Sequence, residues 1–318
     1  MIQHTLQTFA RPILLAVIAL LTVTFATGVH AALPIQHWVT PGGARVYFVA
    51  ARTLPMLDVS VEFASGSSRD ATDRSGVASL TAGLMNNGAG GLSEDEISTR
   101  IANIGAMLGG NFDQDRAGWS IRTLSSAKER EEAVGLLAKI VQQPEFPQAI
   151  MEREKAQLIA ALRQSSSDAD SVAERQFYKI LYQDHPYSQK PTEASLKPIT
   201  RDDLVAFYKR YYTVDHAVVS LIGDVTRAEA EAIAERLTSQ LPKSESAYTD
   251  LAPVKIPAQP MLKEVQFPST QSHIMLGYPG IKRIDPDYFP LLVGNYVLGG
   301  GGFASRLTNE VREKRGLV

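Results

Sequence analysis

Residues 57–63 alternate without a break, with Leu57, Val59, Val61 and Phe63 on one side and Asp58, Ser60 and Glu62 on the other. Successive side chains of an extended chain point to opposite faces, so this run predicts a strand with one face buried and one in water. Antiparallel sheets have that habit, whereas all-parallel sheets are covered on both faces and their strands read as continuous apolar runs. The expected fold class is α+β, an antiparallel sheet covered by helices. At roughly 100–200 residues per domain, the 318 residues have room for two domains.

Turn residues and periodicity place the other elements. Trp38 and Val39, the turn Thr40-Pro41-Gly42-Gly43, and residues 45–49 read as a hairpin. Helical patterns cover residues 76–87 and the stretch from Ser93, where Glu96 completes a capping box. Strands are expected at 106–112 and 118–124, joined by the polar turn 113–116. Residues 127–164 are helical, interrupted at Pro144 and Pro147, and further helices fall at 171–181, 202–212 and, capped by Thr226 and Glu229, up to Leu241. A buried strand at 217–223 lies between the last two.

Composition then changes. Residues 242–261 carry Pro242, Pro253, Pro257 and Pro260 without an apolar period, the mark of an extended linker. Beyond it the order strand, strand, helix starts again, with strands expected at 262–267 and 273–278 and helices at 286–298 and 303–315. The expectation is a two-domain repeat: a first domain over 33–241, a linker over 242–261, and the incomplete start of a similar second domain over 262–318. Leu317 and Val318, after Gly316 in a C-cap position, read as the lead into a further strand, so the second copy is expected to be truncated.

At the other end, Arg11 precedes an apolar run from Ile13 to Phe25 and the small-residue stretch Val29-His30-Ala31. Residues 1–31 are therefore expected to be a cleaved signal peptide, with a periplasmic or secreted mature protein. The alternative is an uncleaved anchor, the one route to a membrane, although about 13 residues span roughly 20 Å against a hydrocarbon core of about 30 Å.

Lys and Arg total 32 against 34 Asp and Glu, which leaves no positive field to draw the chain onto nucleic acid. With no Cys, thiolate catalysis and Cys-ligated metals are excluded. His37, His185, His216 and His273 lack a His or acid at i+3 or i+4 on a helix, so ordinary packing accounts for each. Glu152 and Glu154, two apart on a helix, do not face one another and read as a solvated face. Ser79 has no nucleophile elbow around it. Gly299–Gly302 is followed by Phe303 rather than the Lys-Ser/Thr of a phosphate loop.

One set of segments, taken together, resembles the insulinase/pitrilysin family of zinc metallopeptidases, the inverzincins, which include mitochondrial processing peptidase. These are Gly76-Val-Ala-Ser-Leu-Thr-Ala-Gly-Leu-Met-Asn-Asn-Gly88, Glu152-Arg-Glu-Lys155, Asp184-His-Pro-Tyr187, Ile222-Gly223-Asp224, Gly277-Tyr-Pro279 and the stretch from Ser305-Arg-Leu to Arg312-Glu-Lys-Arg-Gly-Leu317, all in the family's order. Family members carry H-x-x-E-H on the first helix, two imidazoles one turn apart holding zinc and a Glu activating its water. Here those positions are Ser79, Ala82 and Gly83, and Ala160 and Ala161 stand where the third ligand's helix should carry acids. The resemblance thus implies an inactive subunit with no cofactor of its own.

The second-domain features survive. The resemblance implies that Arg312 stabilises an oxyanion in the opposite domain's site, together with a Tyr seven residues on, at position 319. It makes Gly299, Gly300, Gly301, Gly302 and Phe303 a loop bordering the substrate chamber, alongside the blander reading of a mobile helix entry. It makes the strand holding Gly109 and Gly110 a sheet edge on which peptide docks by β-augmentation. The expected function is a non-catalytic, exported subunit with no zinc peptidase activity alone. It would form a heterodimer with an H-x-x-E-H-bearing, zinc-holding partner, bind peptide, and complete the partner's site. The alternative is a non-enzymatic scaffold of the same family; a stand-alone zinc peptidase with unfamiliar ligands comes last.

Overall fold

The computed structural model describes residues 33–245 and 249–317. The expected signal segment, residues 1–31, lies outside them. The chain divides into two units: residues 33–162 with Gln189–Asp250, and Arg163–Ser188 with residues 251–317.

The first unit is built on a six-stranded sheet. Its strands are β1 (Gln36–Val39), β2 (Arg45–Ala50), β3 (Met56–Phe63), β6 (Met107–Phe112), β7 (Ala117–Leu124) and β8 (Val218–Gly223), in the order β1-β2-β8-β3-β7-β6. A small separate hairpin, β4 (Gly88–Ala89) and β5 (Leu92–Ser93), lies apart from it. Neighbours run antiparallel except β2 and β8, which are parallel. The α+β class and the helix-covered sheet are as expected; the one parallel pair arises because β8 returns late in the chain to insert between β2 and β3.

The alternation in β3 is realised: Leu57, Val59, Val61 and Phe63 are buried, while Asp58, Ser60 and Glu62 lie on the open face. Helices pack on the buried face. They are α1 (Val77–Leu84), α2 (Glu94–Asn103), α3 (Ala127–Gln142), α4 (Gln148–Ser165), α6 (Glu193–Leu196), α7 (Arg201–Tyr211) and α8 (Arg227–Thr238). From α3 alone, Val134, Leu136, Leu137, Ile140 and Val141 are buried. Each such side chain withdrawn from water contributes about 1.5–3 kcal/mol. The capping boxes at Ser93–Glu96 and Thr226–Glu229 form as read from the sequence, Ser93 Oγ accepting from Glu96 N at 3.3 Å and Thr226 Oγ1 from Glu229 N at 3.2 Å.

The second unit holds α5 (Ala169–Tyr182) and α9 (Tyr288–Asn295). Here two expectations are corrected. The strands predicted at 262–267 and 273–278 do not form, since residues 249–287 adopt neither helix nor strand. Leu262, Ile274, Leu276 and Tyr278 are exposed. Alternation alone does not make a strand: a two-stranded hairpin is marginal unless its apolar face is covered, and here Leu262, Ile274 and Leu276 stay in water. The helix predicted at 286–298 is regular only over α9 and then widens into a π-helical turn, Tyr296–Gly300. The one predicted at 303–315 resolves into a short 3₁₀ turn, Gly302–Ala304, and a second π turn, Thr308–Glu313.

Candidate functional site

Helix α1 carries the positions where the resemblance places a metal. It begins at Gly76, whose φ of 113° suits glycine, and a Cβ there would meet Leu196 Cδ2 at 2.4 Å. The first orphan amides of the helix are taken by Asp70, whose carboxylate accepts from Gly76 N at 2.7 Å and from Ala78 N at 2.8 Å. Asp70 is only 8% exposed, and burial pushes its carboxyl up to about 6 against the pull of those two donors. Sequence reasoning missed this residue, whose partners lie beyond a 3₁₀ turn, Thr72–Arg74.

On this helix Ser79 donates its hydroxyl back to Gly76 O at 3.0 Å, Ala82 is buried, and Gly83 faces open space. Ala160 and Ala161 are exposed on α4. An engaged hydroxyl, three methyl groups and a glycine do not make the three-donor set that zinc takes. The residues do not fit the metal that the resemblance implies for active members. Among the described residues no cluster of three or more His, Asp or Glu is placed to hold an ion.

The histidines are dispersed. His37 stacks on Tyr47, His185 Nε2 lies 2.9 Å from Ala252 O, His216 Nδ1 lies 2.9 Å from Thr213 Oγ1, and His273 Nδ1 lies 3.2 Å from Asp170 Oδ1. Glu152 pairs with the buried ammonium of Lys155 at 3.0 Å.

Gly109 and Gly110 sit in the middle of β6, the last strand of the sheet. Gly109 lies opposite Ser120 and Gly110 opposite Trp119. A Cβ on Gly110 would touch the indole at 3.4 Å, whereas one on Gly109 would meet Ser120 Oγ at 3.5 Å.

In the second unit Gly299 and Gly300 end the first π turn, and Gly301 closes it by donating to Tyr296 O at 2.8 Å. Gly302 has φ 58°, and Phe303 is 78% exposed. Arg312 comes back to this loop, its guanidinium 5.6 Å from the centre of the Phe303 ring. Its neighbours behave otherwise: Lys314 pairs with Glu310 at 2.6 Å and Arg315 with the same carboxylate at 3.3 Å. The structure therefore brings Arg312 and Phe303 together.

A concavity of about 630 Å³ on the open face of the sheet was not foreseen. Register explains it: Tyr47, Ser220, Ser60, Ser120 and Gly109 form one row across five strands. The next row includes Ile222, Asp58, Arg122 and Met107. The Asp58 carboxylate accepts two bonds from Arg122, at 2.6 and 3.1 Å. Alternation in β3 announced only Asp58 and Ser60, one residue in each of these two rows.

Comparison with known proteins agrees with this architecture. Residues 46–194 match the family model described as insulinase (peptidase family M16), and residues 198–318 match the peptidase M16 inactive domain. A crystal structure of a peptidase M16 inactive domain from Pseudomonas fluorescens superposes with a TM-score of 0.83 at 39% identity, covering 89% of this chain and 69% of that one. The non-peptidase homolog YmxG of Helicobacter pylori is 29% identical over 83% of this chain and 61% of its own length. The beta subunit of mitochondrial-processing peptidase of Saccharomyces cerevisiae is 25% identical over 74% of this chain and 52% of its own. The chain thus spans about half to three fifths of these curated relatives. With both family models in sequence and a closely superposing fold, this chain belongs to the insulinase family, peptidase family M16.

Proposed function

We propose that this chain is the non-catalytic subunit of an exported, heteromeric zinc metallopeptidase. In that reading residues 33–241 are the first peptidase-like domain with its metal site lost, 242–261 the linker, and 262–318 the opening of the second domain. Residues 1–31 direct export. The partner, a family subunit bearing H-x-x-E-H, holds the zinc. Arg312 enters the partner's site and stabilises the oxyanion that develops as a peptide bond is attacked, a task suited to a fixed guanidinium. Gly299–Gly302 and Phe303 border the substrate chamber, and Gly109 and Gly110 mark the strand on which peptide docks.

The observation that supports the reading is the asymmetry between the two halves. The positions where the resemblance places the metal offer a single hydroxyl, that of Ser79, while Arg312 sits against Phe303 and leaves Glu310 to Lys314 and Arg315. A guanidinium resting on a ring keeps its N–H groups available to an anion, which one locked to a carboxylate does not.

The test is co-expression of the full-length protein with an H-x-x-E-H-bearing family partner. Arg312→Ala is expected to lower kcat for peptide cleavage by about 100-fold, the loss typical of one oxyanion donor, with a smaller effect on KM. Unchanged cleavage overturns the role of Arg312. Unchanged cleavage together with no peptide binding by the complex favours the scaffold alternative.

A further inference from the structure

We draw no further inference here: the strongest candidate, the concavity on the open face of the six-stranded sheet, floored by Ser60, Ser120 and Ser220 and walled by Tyr47, Met107 and Ile222, is an unpartnered sheet face, and nothing in the structure shows what covers it.

Discussion

Asp70 carries a pH dependence whose sign is opposite to that of most carboxylates in a folded protein. Its carboxyl is buried at the start of α1 and sits at about 6, above the ordinary aspartate value of 3.8. A carboxyl raised on folding binds its proton more tightly in the native state, so its contribution to stability is fully present below the unfolded value. That contribution is lost as pH rises through the folded one. From those two values, ionising Asp70 in the fold costs about 3 kcal/mol at pH 7 and about 0.5 kcal/mol at pH 4, so this one group returns roughly 2 kcal/mol on acidification. Glu96, Glu129, Asp168, Glu229 and Glu310, each held below its usual range chiefly by hydrogen bonds, pull the other way as pH falls. A single stability profile therefore mixes the two signs, and the comparison must be with a variant in which only Asp70 is silent. Asp70→Asn keeps one carbonyl oxygen for the amide of Gly76 or Ala78 and does not titrate. Urea unfolding of both proteins from pH 4 to pH 7 is expected to show the wild type gaining about 2 kcal/mol on Asp70→Asn as pH falls, with the steepest change at about pH 5, midway between the unfolded and folded values. A constant difference across that range refutes the buried-carboxyl argument. A difference of opposite sign means that the two backbone donors and the helix dipole outweigh desolvation at this site.

Gly76→Ala is expected to destabilise by at least about 2 kcal/mol in the same assay, because φ of 113° disfavours any Cβ and the new methyl would meet Leu196 at 2.4 Å. Purified protein is expected to hold well under one equivalent of zinc by elemental analysis, and chelator is expected to leave its Tm unchanged; stoichiometric zinc would contradict the donor set at Ser79, Ala82 and Gly83. These stand beside the kinetic test of Arg312→Ala.

The elements that could be read early are those decided by neighbours in sequence. Strict alternation placed β3, Asn and Gly clusters ended α1, and capping residues fixed the starts of α2 and α8, because each signal acts over a few residues. The same alternation failed at residues 262–278, where Ile274 and Leu276 repeat the pattern of Leu57 and Val59 but stay in water. A strand is stabilised by its neighbours as much as by its own sequence. The expectation of an empty metal set came from Ser79, Ala82 and Gly83, because one hydroxyl, one methyl group and no side chain fall short of the three donors that zinc takes. Asp70 was not legible, because its acceptor role depends on the 3₁₀ turn Thr72–Arg74 bringing it back to the helix start.

By itself, then, the amino-acid sequence determined the α+β class, the helix-covered sheet and the resemblance to the family. Only the tertiary structure decided that β8 inserts parallel to β2, that β6 ends the sheet with Gly110 beside the buried Trp119, and that Arg312 meets Phe303. The division has one physical cause. Periodicity, capping and the absence of donors are properties of a residue and its near neighbours, whereas strand order, edges and ring contacts exist only once distant segments have been brought into register.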